Sequence, residues 1–389
     1  MNLKIAFVTE TFPPEINGVA MTVGRLVEGM RALGHQVSVI RPRQHGGAAG
    51  AAADDHAGGR NDLLLAGLPL PGYPGLRFGL PAGRQLARAW RQSPPDLVHV
   101  VTEGPLGWSA VNVARRLGIP VTSGFHTNFD RYSVHYGIGW LRPAVAAYLR
   151  ALHRRTRATM VPTEALAADL AGEGIAGVRV VGRGVDTALF DPARRSDVLR
   201  AAWGAGAGNV HAAPVCLYVG RLAPEKNLAL VRRAFAAIRA QQPQARMIWV
   251  GDGPSRRTLE AEHAGDTAHR FTGNQVGEAL ASHYASADLF LFPSLSETYG
   301  NVVAEAMASG LPVLAYRAAA AAELIASGRN GITVPPGDEA NFLRAAQAMV
   351  EHPATLRVMS REARASMLPR NWASVVERFE SVAREALAG

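Results

Sequence analysis

The stretch Pro214-Val-Cys-Leu-Tyr-Val219-Gly220-Arg-Leu-Ala-Pro-Glu-Lys226 joins a short apolar run to a glycine and a basic loop. Its first six residues predict a buried strand that contains Cys216, the single cysteine of the chain. Similar apolar runs, each followed by a helical pattern or a Gly-rich turn, come at residues 246–250, 269–272, 289–293, 312–316 and 331–334. Strands that alternate with helices form parallel sheets covered on both faces. The stretch therefore belongs to a doubly wound α/β unit.

The same rhythm is already present in the first half of the chain. Strands are predicted at residues 4–8, 36–40, 96–101, 120–124, 158–162 and 178–181. Two series within 389 residues predict two doubly wound, Rossmann-like domains that face a central cleft. We expect one domain at 1–187, a second at 188–370, and a C-terminal helix at 371–389 that crosses back to the first domain. Ligands of open α/β sheets bind at the carboxyl ends of the strands.

The composition is strongly basic, with a formal net charge of +9 and a pI of about 10.2. This charge indicates acidic partners such as nucleotides or anionic lipids. Nearly all of it comes from arginine, since Lys4 and Lys226 are the only lysines. The single cysteine excludes an internal disulfide. Without a long apolar run or a signal-like start, the chain is expected to be cytoplasmic.

Two glutamates in the second half, Glu297 and Glu305, stand eight residues apart. Glu297 follows the strand at 289–293, and Glu305 lies on the helix that begins near Asn301. The backbone amides at the start of that helix, around Tyr299 and Gly300, suit an anionic or hydroxyl-rich ligand. Glu305 lies among apolar residues and needs a partner to offset its burial, which sugar hydroxyls would supply. Taken alone, the pair is equally typical of a loop glutamate and a helix-surface glutamate.

The loop after the strand at 214–219 carries both Arg221 and Lys226. A guanidinium and an ammonium near a helix start form a good clamp for a diphosphate. Two further strands end in permissive turns, Gly251-Asp-Gly-Pro254 and Gly273-Asn-Gln-Val276, where a ligand can approach the backbone.

These stretches, together with Ala306-Met-Ala-Ser-Gly-Leu-Pro312, resemble the retaining glycosyltransferases of family four, which have the GT-B fold. The resemblance runs along essentially the full chain. It implies that the domain at 1–187 is on the acceptor side and that the domain at 188–370 binds the nucleotide sugar. It implies that Arg221 and Lys226 bind the donor diphosphate, that Glu297 holds hydroxyls of the transferred sugar, and that Glu305 holds the ribose hydroxyls. The other donor-binding residues that it implies are Gly18, Gly251, Asn274, Val276, Tyr299, Gly300, Asn301 and Val302. One departure is Ala318-Ala-Ala-Ala-Ala-Glu323, where the family often has a glycine pair.

The first half supplies candidates from two loops. The loop Thr9–Val19 lacks a dinucleotide fingerprint, but Gly18 begins a helix whose amides can meet a phosphate. His126 resembles the histidine that lies beside the donor sugar in the family, and it joins Arg221, Lys226 and Glu297 as a catalytic candidate. Glu10, Asn17 and Asp130 are candidates on the acceptor side.

Residues 131–157 contain several arginines and no acidic residue. This basic amphipathic segment is a candidate for contact with an anionic membrane surface, which would place the protein on the inner face of the cytoplasmic membrane. A solvated basic helix explains it equally well. No nucleic-acid-binding module accompanies the charge, so no nucleic-acid partner is expected.

The resemblance implies transfer with retention at the anomeric carbon, without a cofactor and without a metal. The loops around Phe12 and Phe125 look most like the branch that glycosylates membrane lipids. We therefore expect a hexose, mannose from GDP-mannose, to pass to a hydroxyl of a lipid or glycan acceptor. The alternatives are a UDP-sugar-dependent glucosyl or sulfoquinovosyl diacylglycerol glycosyltransferase, a sugar-nucleotide epimerase of the same fold, and a noncatalytic nucleotide-sugar-binding protein.

Overall fold

The computed structural model of the protein describes residues 2–15, 17–43, 62–69, 77–125, 142–206, 213–295, 297 and 299–388. The chain divides into two compact units. The first unit comprises Met1–Arg183 and Trp372–Gly389, and the second comprises Gly184–Asn371. His126, Asp130 and the first part of the basic segment, 131–141, lie outside the described residues.

The first unit is built on a parallel sheet. Its strands are β1 (Lys4–Val8), β2 (Gln36–Pro42), β3 (Leu63–Leu65), β4 (Gly67–Pro69), β5 (Arg77–Gly79), β6 (Leu97–Val100), β7 (Val121–Gly124), β8 (Ala158–Val161) and β9 (Val178–Val180). The sheet has the order β3-β2-β1-β6-β7-β8-β9, and all of its pairs are parallel. Strands β4 and β5 form a separate antiparallel pair.

Helices connect these strands and cover the sheet of the first unit. They are α1 (Gly18–Ala32), α2 (Gly83–Gln92), α3 (Pro105–Arg116), α4 (Arg142–His153) and α5 (Glu164–Gly172). Helix α1 buries Val23, Leu26, Val27 and Met30 at helical spacing, so one of its faces packs into the core. The C-terminal helix Trp372–Ala388 packs in the same unit, where Phe379 stacks on Phe7 with ring centroids 5.4 Å apart.

The second unit repeats the design. Its strands are β10 (Val215–Val219), β11 (Arg246–Val250), β12 (His269–Gly273), β13 (Leu289–Phe292), β14 (Val313–Tyr316) and β15 (Gly331–Val334). They form a parallel sheet of order β12-β11-β10-β13-β14-β15. All five side chains of β10 are buried, as expected for a central strand covered on both faces.

Helices of the second unit are numbered onward from the first. They are α6 (Asp197–Ala202), α7 (Leu228–Gln241), α8 (Arg256–Glu262), α9 (Gly277–Ser286), α10 (Asn301–Ala308), α11 (Ala319–Leu324), α12 (Glu339–Glu351) and α13 (Pro353–Met367), and the C-terminal helix of the first unit is α14. Within the described ranges, no helix has both the length and the apolar character needed to cross a membrane.

The α/β class and the strands predicted from the sequence are confirmed, and Cys216 is a buried strand residue. The prediction missed β3, β4 and β5. Each of these strands has only three residues, and β4 contains a glycine and a proline, so their sequences lack the longer apolar runs that mark the central strands.

Candidate functional site

The loops that follow β10 and β11 are packed backbone against backbone at the carboxyl edge of the second sheet. Gly220 and Gly251 both have positive φ angles, 147° and 133°. A Cβ atom at Gly251 would overlap the carbonyl oxygen of Gly220, so only glycine fits there. The amide of Leu222 donates to the carbonyl of Asp252 at 2.9 Å. This packing fixes the loop that carries Arg221 and Lys226 beside the turn after β11.

Lys226 and Glu297 meet in an ion pair, although 71 positions separate them in the sequence. Lys226 closes the 3₁₀ turn Pro224–Lys226 after β10, and Glu297 follows β13, the neighbouring strand. The Nζ of Lys226 contacts Oε1 of Glu297, and the Oγ of Ser294 donates to the same oxygen at 2.8 Å. The side chains of Lys226 and Glu297 are 11% and 19% exposed, so the pair is largely shielded from water.

Arg221 lies in the same loop and also faces a carboxylate. Its Nη1 is 3.7 Å from Oε1 of Glu225, which is buried. The hydroxyl of Tyr218 donates to the backbone oxygen of Arg221 at 3.1 Å. Burial, with the charges of Glu297 and Glu225, raises the pKa of Tyr218 well above its usual value, so its hydroxyl stays protonated. Each cation of the loop is thus paired with a carboxylate of its own unit.

Glu305 lies on the second turn of α10 with its carboxyl group buried. The hydroxyl of Tyr284, on α9, donates to its Oε2 at 3.0 Å. Burial raises the pKa of Glu305 to about 7, and the hydrogen bond from Tyr284 opposes this shift. A protein hydroxyl therefore supplies a partner for this carboxylate.

The amino end of α10 is formed by Gly300, which has a φ of 92°. No side chain caps this end of the helix. The backbone oxygen of Tyr299 accepts a hydrogen bond from the amide of Ala320 at 2.8 Å, which ties the segment before α10 to the start of α11. Ala319, the first residue of α11, has a φ of 47°, a left-handed conformation that favours glycine. The alanine run noted in the sequence thus adopts, at this position, a backbone suited to a glycine.

The remaining donor candidates of the second unit are spread along the same edge. Asn274 and Val276 are exposed in the loop after β12. Asn301 and Val302 lie on the first turn of α10 and are partly buried. The structure brings Lys226 to Glu297 directly, and the other candidates of the second unit lie on the segments that follow β10, β11, β12 and β13.

In the first unit, Asn17 caps α1. Its Oδ1 accepts hydrogen bonds from the amides of Val19 and Ala20 at 3.1 and 2.8 Å. Two amides of the first turn therefore donate hydrogen bonds to this side chain, and Gly18 is the first residue of the helix. Glu10 follows β1, and burial raises its pKa to about 7. The roles expected for these three residues stay predictions.

One group of side chains among the described residues has the spacing of a metal site: His263, Asp266 and His269. The Nε1 of Trp249 donates to Nδ1 of His269 at 3.1 Å. Because an indole nitrogen only donates, Nδ1 of His269 must accept, and the proton of the neutral ring lies on Nε2. Such a ring has no lone pair left for a metal, so this donor set does not suit one. His269 also begins β12, at the amino edge of the sheet.

Sequence reasoning missed the residues that hold the candidates in place. Ser294 stands three residues before Glu297 and was available as a local signal. Glu225 stands beside Lys226 and was read only as part of the loop. Tyr284 and Tyr218 gave no signal, because their contacts depend on how helices and strands pack.

Two protein-family models match the chain, one in each half of the sequence. A family model described as "Glycosyltransferase Family 4" matches residues 16–189, and one described as "Glycosyl transferases group 1" matches residues 213–352. The chain is 36% identical to a GDP-mannose-dependent alpha-mannosyltransferase of Mycobacterium tuberculosis over 97% of its own length and 95% of that protein. It is 28% identical to the sulfoquinovosyl transferase SQD2 of Arabidopsis thaliana over 97% of its own length and 72% of that protein.

Solved structures show the same architecture. The crystal structure of Anabaena Alr3699/HepE in complex with UDP and glucose superposes with a TM-score of 0.76 at 19% identity, covering 99% of this chain and 100% of that one. The fold is GT-B, and the class of protein is a glycosyltransferase. The full-length similarity to the mycobacterial enzyme fixes the assignment further. The chain belongs to glycosyltransferase family four.

Proposed function

We propose that this protein transfers mannose from GDP-mannose to a hydroxyl group of a lipid or glycan acceptor, with retention of configuration and without a metal ion. The observation that carries the proposal is the Lys226–Glu297 pair, which joins a basic loop to a carboxylate at the carboxyl ends of two adjacent strands. Ligands of open α/β sheets bind at that edge.

The charges of the site suit a reaction whose leaving group is a diphosphate. Arg221 and Lys226 would stabilise the negative charge that develops on the diphosphate as the bond to the sugar breaks. Glu297, next to Lys226, would accept hydrogen bonds from hydroxyls of the transferred sugar. Glu305 would do the same for the ribose hydroxyls. Positive side chains can supply the electrostatic stabilisation that a metal ion gives in other enzymes.

Retention would follow if the acceptor hydroxyl attacks the face of the sugar from which the diphosphate leaves. The diphosphate oxygen then accepts the proton of that hydroxyl, so no enzyme nucleophile is required. His126 would lie beside the sugar, as the resemblance to the family implies.

The choice of GDP-mannose rests on the relatives. The M. tuberculosis relative, a GDP-mannose-dependent alpha-mannosyltransferase, shares 36% of aligned residues, more than SQD2 does. UDP-sugars are the competing donors, because the fold neighbour HepE was crystallised with UDP and glucose.

We further propose that a basic surface of the first unit contacts anionic lipid. Helices α2, α3 and α4 contain no acidic residue. A depression of about 570 Å³ is lined by Asn112, Arg115, Arg116 and Arg155. Anionic headgroups would be attracted to such a surface, by about 1 kcal/mol for each basic residue near it. The exposed arginines of α2 and α3 are Arg84, Arg88, Arg91, Arg115 and Arg116.

The test is a donor screen followed by a turnover assay. Thermal stabilisation by GDP-mannose, UDP-glucose and UDP-sulfoquinovose identifies the donor. Nucleotide release is then measured with and without a lipid acceptor, and the anomeric configuration of the product is read by NMR. Acceptor-dependent release from GDP-mannose with an α-linked product is expected. Conversion of the donor to an epimer without any acceptor would instead show a sugar-nucleotide epimerase.

A further inference from the structure

Three side chains at the carboxyl edge of the first sheet hold buried polar atoms without a hydrogen-bond partner among the described residues. Glu10 follows β1, Glu103 follows the adjacent strand β6, and His153 is the last residue of α4. The atoms concerned are Oε1 of Glu10, both carboxylate oxygens of Glu103 and Nε2 of His153. Buried polar atoms are normally satisfied, so these neighbouring atoms are suited to exchange hydrogen bonds with a ligand.

Glu103 and His153 are 3% and 0% exposed, and the imidazole ring is held in one orientation. The Oγ of Ser123 lies 2.9 Å from Nδ1 of His153. The opposite ring nitrogen, Nε2, faces Glu103 with 3.6 Å to its Oε1, which is longer than a hydrogen bond. The Oγ of Ser123 also lies 3.0 Å from the hydroxyl of Thr156, so it is satisfied within the protein and serves to position the ring.

Residues of the loops after β1 and β6 surround the carboxyl group of Glu10. The amide of Glu10 donates to Oγ1 of Thr102 at 2.9 Å. Backbone groups of Leu106 and Gly79 form hydrogen bonds to its carboxyl group. A Cβ atom at Gly104 would overlap both of its carboxyl oxygens, so the glycine leaves room for them.

The cluster adjoins the protein surface. Glu10 is only partly buried, and Tyr148, which is 37% exposed, donates from its hydroxyl to the backbone oxygen of Glu103 at 2.6 Å. Burial, together with the charges of Glu10 and Glu103, raises the pKa of Tyr148 to about 12, so its hydroxyl remains protonated.

The chemistry of these atoms indicates which class of ligand they can bind. Two carboxyl groups repel a phosphate or another anion. Among the described residues, the side chains that converge tightly enough for a metal ion are His263, Asp266 and His269, not this cluster. Carboxylate oxygens accept hydrogen bonds, and the hydroxyls of a polyol donate them. A polyol therefore fits where an anion and a metal do not.

We propose that Glu10, Glu103 and His153 form a hydroxyl-binding site that receives the polyol part of the acceptor. This inference rests on the proposed function and names the chemistry of its acceptor side. The polyol is either the glycerol of a lipid or the ring of a sugar. The carboxylate of Glu103 accepts from the ligand hydroxyls, and His153 positions that carboxylate.

The first test uses the unchanged protein. A water-soluble carbodiimide with an added amine labels protonated carboxyl groups, and Glu10 is suited to it because burial raises its pKa to about 7. Trypsin releases the peptide Ile5–Arg25, and fragmentation separates Glu10 from Glu15. Dioctanoylglycerol in detergent micelles and methyl mannoside are the two probes. One of them should lower the labelling of Glu10 by about fivefold relative to buffer or empty micelles. Labelling unchanged by either probe would overturn the proposal.

The second test is the variant Glu103→Gln, with the exposed Glu173→Gln of the same unit as its matched control. Loss of the carboxylate charge should raise the KM for the acceptor by about tenfold, with a smaller change in the KM for the donor. The control should behave as the parent enzyme. An unaltered acceptor KM in Glu103→Gln contradicts the site, and if this variant does not fold, the labelling result on the unchanged protein decides. If no donor is used at all, the proposed function fails, while the labelling still reports on polyol binding.

Discussion

Replacing Glu297 with glutamine should strengthen the binding of a nucleoside diphosphate. Oε1 of Glu297 contacts the Nζ of Lys226 and accepts a hydrogen bond from Ser294 at 2.8 Å. In the proposed complex the ammonium is therefore shared between this carboxylate and the diphosphate. Glutamine keeps the shape of the side chain and removes the negative charge, so the ammonium becomes more available to the ligand.

The size of the effect follows from the shielding of the pair. With side chains only 11% and 19% exposed, Lys226 and Glu297 interact in a medium less polar than water. Two unit charges about 4 Å apart interact by about 4 kcal/mol at an effective dielectric constant of about 20. The ligand gains only part of this interaction energy, because the glutamine side chain remains a polar neighbour of Lys226. We expect a gain of about 1 kcal/mol, or about fivefold tighter binding.

The variant Lys226→Met should act in the opposite direction. It removes the cation and leaves Glu297 uncompensated beside the diphosphate, which costs about 2–3 kcal/mol or at least about thirtyfold in affinity. Calorimetric titration with GDP and UDP measures both variants. Glu339→Gln is the control, because its partner Arg233 and Glu339 are 54% and 45% exposed.

Transfer itself should be lost in Glu297→Gln although the nucleotide binds well, since the sugar hydroxyls lose a charged acceptor. The reasoning is refuted if Glu297→Gln weakens GDP and UDP binding as much as Lys226→Met does. That result would mean that Glu297 acts by holding the loop in place, rather than by competing for the ammonium.

Three further outcomes are expected. Ala319→Gly should raise the free energy of unfolding by about 0.5–1 kcal/mol in denaturant titrations, because alanine is strained at a φ of 47°. Burial raises the pKa of Glu305 from 4.5 to about 7, so its carboxyl group stays protonated to a higher pH in the folded state than in the unfolded state. Stability should therefore fall as pH rises from about 4.5 through about 7, and Glu305→Gln should reduce the change of the melting temperature over that range. The part that remains is expected from Glu10, whose pKa burial also raises to about 7. The double variant Arg115→Gln/Arg116→Gln should bind anionic vesicles about thirtyfold less well in sedimentation assays, since each arginine contributes about 1 kcal/mol.

The first and the third of these outcomes have matched controls. Ala322→Gly in the same helix should lower stability, because that position has no positive φ angle and glycine adds only unfolded-state entropy. Neutral phosphatidylcholine vesicles should not distinguish the double arginine variant from the parent protein. Exposed Arg257 and Arg270, both in the other unit, provide the matched removal of two charges, and Arg257→Gln/Arg270→Gln should leave vesicle binding unchanged. Equal losses in both arginine variants would show that net charge alone drives the binding.

The sequence was most informative where local pattern and burial coincide. A strand such as Val215–Val219 is apolar throughout because both faces of its sheet are covered, so the run itself reveals the strand. Loop residues at strand ends could be located for the same reason. The hydrogen bond between Tyr284 and Glu305 could not, because it depends on the packing of α9 against α10. The strained backbone at Ala319 was equally hidden, since an alanine run by itself indicates only a helix.

Carboxylates beside the two cations explain how the site stays stable when it is empty. Arg221 faces Glu225 at 3.7 Å, and Lys226 contacts Glu297, so neither positive charge is left buried alone. Tyr218 adds no charge, because its raised pKa keeps its hydroxyl protonated while it donates to the backbone of Arg221. In the proposed complex, a diphosphate would compete with two carboxylates for the same cations.

That competition gives a reason for lysine at position 226 in a chain that otherwise uses arginine. Arginine presents a planar fork that tends to bind one carboxylate through two parallel hydrogen bonds. An ammonium presents three donors that rotate about one bond, so Glu297 and a phosphate oxygen can be bound from different directions at once. The 3₁₀ turn Pro224–Lys226 leaves this residue only 9% exposed, which favours the more compact group. In the proposed reaction the shared cation would stabilise the diphosphate as it leaves the sugar, and the contact with Glu297 would keep the ammonium paired after the diphosphate is released.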